Sequence, residues 1–401
     1  MQNETLKKQQ GSVMARFGLY DVCDETVGEF LCTQWERACD ALDLPPGEAA
    51  ASSDLLREVL DPWFAIEIGR ECRHPSYVAE DGFPAEISVK WTGSGPELRV
   101  LFDIGFAAVR PDLVALAATD RLAVRLGAAL DHFERVGGVF FAGRPGPPAP
   151  LWHSLVLRPG EPVSLKAYFG LYRWGTDERE AAVGAAMEIL EMGAAWAAAS
   201  SGVNTGKHEL EFFALDLSDA PQSRAKVYYR GAAATVEELN SLAGLAGSHD
   251  AARAGRAYSV LVGGEHGDAG EAPLTCLAFR KGCDRAEEAT TYLRVASLSR
   301  CERDTTERVA ALMASEGIPA GPYRKLVDAL APRPLEAFVG LQELVSYRVV
   351  GQRADLTTYF RFPVHPVAAI RPTAGHVPRP ARRHLRRTVS FPATMPLSPD
   401  E

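Results

Sequence analysis

Residues 223–230, S-R-A-K-V-Y-Y-R, contain the alternation on which the interpretation of the fold rests. Every second position is cationic or phenolic, namely Arg224, Lys226, Tyr228 and Arg230. Successive side chains of a β-strand point to opposite faces, so these four groups share one face. An ordinary half-buried strand also alternates, and its polar face meets water. The rest of the chain decides between a solvated face and a functional one.

The composition excludes several classes of partner. The chain has 401 residues, of which 46% are hydrophobic and 24% are charged, and its net charge is −9. A chain of this length can bury a large core, and its acidic balance argues against a nucleic-acid partner. The N-terminal residues contain no apolar signal segment, and no apolar run reaches the length of a membrane span. We therefore expect neither a nucleic acid nor a membrane as partner.

The cysteines and histidines argue against a structural metal. The seven cysteines form no C-x-x-C pair, and an odd number of them is typical of reduced thiols in the cytosol. The nine histidines are scattered, and none is spaced with a cysteine as zinc ligands are. We expect a cytoplasmic protein with no metal site.

Hydrophobic periodicity divides the chain into repeats of a helical segment followed by two strands. Helical spacing covers about 25–42, 53–62, 110–136, 178–200, 234–248 and 304–331. Turn residues rich in Gly and Pro join the two strands of a pair. Five pairs are predicted: 85–91 with 97–103, 152–158 with 163–169, 209–217 with 224–230, 274–280 with 290–295, and 344–350 with 356–362. A further short strand is expected at 257–263.

This repeated αββ pattern predicts a closed sheet. Strands joined by hairpins run antiparallel, and amphipathic helices bury one face against a sheet. If all helices cover the same face, about ten antiparallel strands close into a barrel with the helices outside. We therefore predict an α+β fold, an αββα barrel. The predicted domains are a flexible N-terminus at 1–15, a single barrel at 16–368 and a disordered Pro/Arg-rich tail at 369–401.

Because the helices cover the apolar outer faces of the strands, the polar faces point into an inner chamber. The second strand of each predicted pair has cationic or phenolic side chains at alternate positions, as residues 223–230 do. These strands contain Arg99; Lys166 and Tyr168; Arg224, Lys226 and Tyr228; Tyr292 and Arg294; Tyr359 and Arg361. Within each strand these residues have one parity, so each set shares one face.

Such a chamber favours an anionic ligand, most simply a phosphate or diphosphate. Charge-assisted hydrogen bonds from Arg, Lys and Tyr are strong, and cations buried without a partner are costly. Tyrosine rings add a second property, because each face attracts a cation by about 0.5–2 kcal/mol. Groups of both kinds together are what an ionising prenyl diphosphate needs, since the diphosphate is held while the allylic cation is kept from water.

The first predicted strand places one carboxylate on the same face as polar and cationic side chains. In F-P-A-E-I-S-V-K-W, the residues Glu86, Ser88 and Lys90 have the same parity. Glu86 either neutralises the cations or accepts a hydrogen bond from the N–H or O–H of an aromatic substrate and raises its nucleophilicity.

Three motifs together resemble the dimethylallyltryptophan synthase family of aromatic prenyltransferases, whose members fold as an αββα prenyltransferase barrel. Residues 212–230, F-F-A-L-D-L-S-D-A-P-Q-S-R-A-K-V-Y-Y-R, are similar to the family signature of D-L followed by S-R-x-K-x-Y. F-P-A-E-I-S and L-K-A-Y-F resemble the acceptor-glutamate and K-x-Y motifs. The resemblance runs in order from about residue 20 to 365 and is closest to the bacterial, indole-specific members.

The resemblance implies a role for each matching residue. Glu86 would accept the indole N–H. Arg99, Lys166, Arg224 and Lys226 would hold the diphosphate. Tyr168, Tyr228, Tyr292 and Tyr359 would shield the cation and donate to phosphate oxygens. The implied reaction is metal-independent Friedel–Crafts transfer of a dimethylallyl or longer prenyl group to an indole, within secondary metabolism.

The sequence departs from the family at two points. Some members have a lysine thirteen residues before the K-x-Y lysine, assigned as the base that restores the aromatic ring, and His153 stands there in this chain. A histidine can act as such a base near neutral pH. Tryptophan-specific members hold the amino-acid carboxylate with an arginine on the strand before R-x-K-x-Y, where this chain reads H-E-L-E-F-F. That difference favours a tryptophan-derived or peptide-linked indole as acceptor.

Two alternatives stay open at this stage. The same chemistry can use a phenol or naphthalene as acceptor, because a phenol also donates to a carboxylate. A barrel without activity that binds an anionic metabolite would explain the cations but not the tyrosines. The chain lacks the Asp-Asp-x-x-Asp run that chelates magnesium against a diphosphate, so we expect no metal cofactor.

Overall fold

A computed structural model describes residues 19–365, apart from residues 80, 94, 142–148, 172–173, 219–222, 232 and 265–267. The N-terminal segment 1–15 and the tail 369–401, predicted to be flexible and disordered, lie outside the described residues. The bounds of the barrel domain, 16–368, therefore remain a prediction.

Ten strands form a closed barrel. They are β1 (Ala85–Thr92), β2 (Gly95–Phe102), β3 (Leu151–Leu157), β4 (Ser164–Gly170), β5 (His208–Asp216), β6 (Ala225–Gly231), β9 (Leu274–Phe279), β10 (Glu288–Leu293), β11 (Gln342–Val350) and β12 (Arg353–Phe360). Two short strands, β7 (Ala233–Thr235) and β8 (Asp268–Glu271), pair with each other in a separate sheet.

All barrel neighbours are antiparallel, in the order β1-β12-β11-β10-β9-β6-β5-β4-β3-β2. The first and last strands close the barrel, with Ile87 opposite Phe360 and Trp91 opposite Leu356. Tight turns allow this order, and Gly160 and Gly351 occupy positive φ angles of 75° and 58° in two of the hairpins. Glycine takes that conformation at no steric cost.

The strands alternate between an outer apolar face and an inner polar face. On β1, Ile87, Val89 and Trp91 are buried, and the ring of Trp91 packs on Tyr323 of a surrounding helix at 5.9 Å. Lys90, between them, makes ion pairs with residues of the two neighbouring strands. The predicted inversion of the usual pattern, with apolar side chains outside and polar ones inside, follows from the helices that cover the barrel.

Helices surround the barrel. They are α1 (Val27–Ala41), α2 (Pro46–Val59), α3 (Pro111–Leu126), α4 (Asp131–Phe140), α5 (Thr176–Ile189), α6 (Gly193–Ser200), α7 (Val236–Ala243), α8 (Ala251–Val262), α9 (Val295–Leu298), α10 (Glu302–Ser315) and α11 (Gly321–Leu330), with a 3₁₀ turn at Asp61–Ala65. Local signals start several of them. Thr26 with Glu29 and Thr235 with Glu238 form capping boxes, which satisfy N–H groups that a helix start leaves open.

The fold class is as predicted, and the differences lie in the helical layer. The long helical segment 110–136 is divided by Gly127, which ends α3 in a left-handed conformation. The short strand expected at 257–263 is wrong, because those residues continue α8 and end at Gly263. Ala254, Ala257 and Leu261 are buried at helical spacing, a period that the β-rich sequence Y-S-V-L-V concealed.

Candidate active site

One end of the barrel interior is lined by a ring of charged side chains, which we call the cation end. Its cations are Lys90, Arg99, Arg158, Lys166, Arg224, Lys226 and Arg348, and its carboxylates are Glu97, Asp216, Glu288 and Asp355. Each of these residues lies on a barrel strand or next to the end of one, and the strands concerned are distributed around the whole barrel. Four of the predicted diphosphate-binding residues, Arg99, Lys166, Arg224 and Lys226, are therefore brought together.

Asp216 on β5 is the centre of one half of this ring. Its carboxylate lies 3.4 Å from both Lys166 Nζ and Lys226 Nζ and accepts a 3.0 Å hydrogen bond from Arg224 Nε. Burial would raise the pKa of Asp216, but the three cations hold it well below its usual range. Burial, together with the neighbouring cations, lowers the pKa of Lys166. Asp216 thus holds both lysines in place, but its single negative charge does not balance the three cations around it.

The other half of the ring repeats this arrangement. Glu97 accepts a hydrogen bond from Arg99 Nη2 at 2.8 Å and lies 3.2 Å from Lys90 Nζ. Asp355 lies 3.1 Å from Lys90 Nζ and pairs with Arg348. These contacts hold the cations in one orientation before any ligand arrives, which lowers the cost of binding one.

The cation end carries an excess of positive charge. Seven lining side chains are Lys or Arg, whereas four carboxylates lie among them. With all of them ionised, the positive charges outnumber the negative ones by three, although each cation contacts at least one carboxylate. Such an excess of one sign is unfavourable among partly desolvated side chains, so the arrangement is matched by a multiply charged anion.

The predicted tyrosines form a belt at the next level of the barrel. Tyr168, Tyr228, Tyr292 and Tyr359 lie on alternate strands, and successive ring centroids are 6.2, 6.0 and 5.6 Å apart. Burial raises the pKa of all four hydroxyls. The belt therefore remains uncharged, so that it offers ring faces to a cation and hydroxyl donors to an anion.

The belt continues into an aromatic wall closed by a loop. Trp152 packs on Phe212 at 5.2 Å between ring centroids, and Phe212 packs on Tyr228 at 6.2 Å. Tyr77 and Val78, from the loop before β1, are buried in the same cluster. Sequence reasoning did not predict this cap, because residues 70–84 show neither helical nor strand periodicity. Tyr77 and Val78 cover one side of the aromatic cluster.

Glu86 lies on the inner face, and Arg361 contacts it directly. Its carboxylate accepts a 3.0 Å hydrogen bond from Arg361 Nε, and both side chains are buried. Burial raises the pKa of Glu86 and the cation of Arg361 opposes that rise. A buried carboxylate on the inner face of the barrel can accept a hydrogen bond from an aromatic N–H.

His153 lies away from these residues, on the outer face of β3. Its Nε2 donates to Thr119 Oγ1 of α3 at 2.7 Å, since that hydroxyl itself donates to the carbonyl of Ala115. Burial lowers the pKa of His153 to about 4. This placement argues against the prediction that His153 removes a proton from the substrate, because the residues of β3 that face the interior are Trp152 and Ser154.

Sequence reasoning missed the carboxylates that organise the cation end. Asp216 belongs to the D-L motif and was assigned no role, although its parity with Phe212 and Ala214 on β5 places it on the inner face. Glu288 and Asp355 give no motif. They become visible only when strands distant in sequence are brought into register.

The described residues contain no group of three His, Cys, Asp or Glu side chains that could hold a metal ion. Within the same part of the chain, no helix is long and apolar enough to cross a membrane.

No family model matches the sequence, but solved structures do. The chain is 28% identical to 6-dimethylallyltryptophan synthase from Micromonospora olivasterospora, solved in complex with DMASPP and Trp, with a TM-score of 0.76 over 85% of this chain and 99% of that one. The chain is a prenyltransferase barrel that resembles the bacterial dimethylallyltryptophan synthases. The resemblance and the fold class predicted from the sequence are confirmed.

Two more distant structures show how widely this prenyltransferase barrel is shared. The 5-dimethylallyl tryptophan synthase from Streptomyces coelicolor, with DMASPP and Trp, is 23% identical, with a TM-score of 0.77 over 87% of this chain and 98% of that one. AnaPT from Neosartorya fischeri is 15% identical, with a TM-score of 0.66 over 82% and 92% of the two chains. Similarity at these levels shows the fold alone.

Proposed function

We propose that this prenyltransferase barrel transfers a dimethylallyl or longer prenyl group from its diphosphate to the indole ring of tryptophan or a tryptophan-derived compound. The main support for the proposal is the order in which three groups of side chains lie inside the barrel. A ring with an excess of positive charge, a belt of neutral tyrosines and a buried carboxylate follow one another inside a single closed barrel.

The cation end would bind and activate the prenyl diphosphate. Ionisation breaks the bond between the allylic carbon and oxygen, and the electron pair stays on the diphosphate. Arg99, Lys166, Arg224 and Lys226 stabilise the charge that develops there, since fixed cations need no reorganisation during the reaction. The tyrosine hydroxyls above them can donate to the same oxygens.

The tyrosine belt would protect the allylic cation until the ring attacks it. Ring faces stabilise a cation by their quadrupole, and the cap formed by Tyr77 and Val78 keeps water out. Glu86 accepts the indole N–H and so increases the electron density of the ring. The ring carbon then forms the new carbon–carbon bond, and the proton on that carbon passes to the diphosphate anion that ionisation has released, so that the ring becomes aromatic again. His153 takes no part in this step.

We further propose that the reaction needs no metal. In metal-dependent prenyl transfer, a divalent cation neutralises the diphosphate, whereas here the lysines and arginines of the cation end carry the positive charge. Support comes from the ion pairs that hold these side chains toward one cavity. A cytosolic location is proposed as well, because all seven cysteines are free thiols, and cell fractionation tests it.

A product assay tests the proposed function. Purified protein is incubated with dimethylallyl diphosphate and one of four acceptors: tryptophan, a tryptophan-containing cyclic dipeptide, a linear dipeptide derivative or a naphthalenediol. Each reaction is run with and without excess EDTA and read by mass spectrometry. We expect a prenylated indole whose yield does not change with EDTA. Tight binding of diphosphate without any product would instead favour a binding protein, and loss of product in EDTA would contradict the metal-free site.

A further inference from the structure

The charged side chains of the cation end include two triads, in each of which one carboxylate contacts three cations. Glu97 is the central carboxylate of the first triad and Asp216 is that of the second. Their cations are Lys90, Arg99 and Arg158 in the first triad and Lys166, Arg224 and Lys226 in the second. With all groups ionised, each triad has two more positive charges than negative ones.

The contacts show that each triad converges on one small anion. Glu97 lies 2.8 Å from Arg99 Nη2 and 3.2 Å from both Lys90 Nζ and Arg158 Nε. These cations come from β1, β2 and the end of β3, which are antiparallel neighbours. Asp216 is surrounded in the same way across β4, β5 and β6.

A bridge of three further charges joins the two triads. Asp355 lies 3.1 Å from Lys90 Nζ in the first triad and pairs with Arg348. Arg348 pairs in turn with Glu288, which lies 2.8 Å from Arg224 Nη1 in the second triad. The bridge has two negative charges and one positive charge, so the excess of positive charge lies in the triads.

The two central carboxylates lie against the cations and not in the wall of the cavity. Within the part of the chain that the structure describes, the charged residues lining this cavity are the seven cations and Asp355. The side chains of Glu97 and Asp216 are 14% and 16% exposed. A ligand can therefore meet the cations without displacing either central carboxylate, and both stay close enough for their charges to act on it.

Both central carboxylates are negatively charged at neutral pH. Burial would raise the pKa of Glu97, but its three cations lower it to about 2. Burial acts on Asp216 in the same direction, and its three cations hold that pKa well below the usual range. Replacing either residue by its amide therefore removes a full negative charge, while the shape of the side chain and one acceptor oxygen remain.

The proposed reaction makes a diphosphate site difficult to empty. When the allylic carbon–oxygen bond breaks, the electron pair stays on the diphosphate, so the leaving anion has one more negative charge than the prenyl ester until it takes up the ring proton. Cations that bind the ester by its charge bind this anion more strongly, and slow release of a product can limit kcat. A fixed carboxylate behind the cations weakens that binding, because like charges repel.

Resting on the function proposed above, we propose that Glu97 and Asp216 limit the affinity of the cation end for the diphosphate product and so keep its release fast. They act through the cations that they contact, and are therefore positioning residues whose charge also opposes that of the anion. If they only held the cations in place, loss of a carboxylate would weaken the binding of diphosphate. The two roles thus predict changes of opposite sign.

The affinity for inorganic diphosphate tests this sign without any turnover. Inorganic diphosphate is titrated by calorimetry, in the presence of EDTA, into the wild type and into the variants Glu97→Gln and Asp216→Asn. We expect its Kd to fall by roughly 10-fold or more in each variant. Glu336→Gln removes a carboxylate from an exposed pair with Arg303, and this matched control should keep the wild-type Kd.

Transient kinetics with dimethylallyl diphosphate and the preferred acceptor of the product assay then measure release. In Glu97→Gln and Asp216→Asn, kcat should fall while the rate of a single turnover changes little. Mixing with excess substrate should therefore give a burst of product before a slower steady state. A carboxylate that only orients the cations would instead lower the single-turnover rate, with no burst.

The outcomes separate the inference from the function on which it rests. The two residues lie on different strands, so if one variant does not fold, the other decides. An unchanged or higher Kd for inorganic diphosphate in the folded variants would overturn the inference and leave prenyl transfer intact. Absence of product from every acceptor with the wild type would contradict prenyl transfer itself, and the role in product release with it.

Discussion

The two charged ends of the barrel use the same residue types to opposite effect. The cation end has seven Lys or Arg side chains around four carboxylates. The opposite end of the barrel interior, which we call the Arg–Glu band, has three of each: Arg230, Arg294 and Arg361 with Glu86, Glu211 and Glu343. An end with unbalanced charge is completed by an anion. A balanced end is completed by a ligand that carries both signs or none. Counting carboxylates is therefore as informative as counting cations.

The tyrosine belt separates the two ends and is neutral because burial keeps its hydroxyls protonated. This order places an anion, a cation and an aromatic ring along one axis. Variants that remove one charge or one ring at a time test this difference between the two ends.

Glu86→Gln should have the largest effect on turnover. The amide keeps the shape of the side chain but removes the anion that accepts the indole N–H, and such a loss costs roughly 10²- to 10⁴-fold in kcat. Binding of the prenyl diphosphate, measured by calorimetry, should stay at the wild-type level. Unchanged turnover would rule out the assigned role.

Lys226→Met should weaken the cation end alone. One charge-assisted contact to the diphosphate disappears, so its Kd should rise by about 10- to 100-fold. The KM of the acceptor should hardly change. Measuring both constants, with R303Q as surface control, sharpens the comparison, and an equal rise in the two would show that the ends are not separate sites.

The pH dependence should report the charge of Glu86. Burial raises its pKa and Arg361 opposes the rise, with Glu343 and Arg294 as the next charged groups. As pH falls through this raised pKa, the carboxylate gains a proton and stops accepting the N–H. The acid limb of kcat/KM for the acceptor should therefore lie above the usual value for glutamate of about 4.3.

Arg361 variants test the sign of that effect. In Arg361→Met the opposing cation is lost, so the acid limb should move to higher pH, whereas Arg361→Lys should keep it near the wild-type position. A limb at the same pH in all three proteins would show that another group titrates.

Tyr292→Leu should have a moderate effect. The apolar volume is largely kept, but the ring face is lost, and one cation–π contact is worth about 0.5–2 kcal/mol. We expect a fall of roughly 2- to 30-fold in kcat, with Tyr292→Phe close to wild type in cation stabilisation. Equal losses in both variants would assign the effect to the hydroxyl group.

His153→Asn should have the smallest effect on the reaction. The side chain contacts Thr119 on the outer face of β3, so turnover should stay within about threefold of wild type, far from the 10²-fold or larger cost of losing a general base. Thermal unfolding should show a lower Tm, because a buried hydrogen bond is disturbed. A collapse of turnover at unchanged Tm would restore the original prediction.

The barrel and its inner face were predictable because they depend on local pattern. Hairpin turns fixed the strand pairs, and the parity of R-A-K-V-Y-Y-R fixed which side chains meet. The prediction for His153 was off by a single position, since a shift of one residue along a strand moves a side chain to the opposite face. Motif spacing alone does not resolve such a shift.

Two carboxylates of the Arg–Glu band, Glu211 and Glu343, were out of reach for a related reason. Strand periodicity placed the start of β11 at residue 344, so Glu343 fell outside it, and the bulge at Glu211 breaks the alternation of H-E-L-E-F-F. Bulges depend on pairing between strands distant in sequence, and no local rule announces them. These two carboxylates are thus the part of the barrel interior that the local pattern of the sequence does not show.

The most direct measurement is a crystal structure of the protein with dimethylallyl thiolodiphosphate and L-tryptophan. The account predicts the diphosphate among Lys166, Arg224 and Lys226, the prenyl group within the tyrosine belt, and the indole N–H on Glu86. A diphosphate bound at the Arg–Glu band, or an indole away from Glu86, would contradict the central claim that the two ends of the barrel hold different substrates.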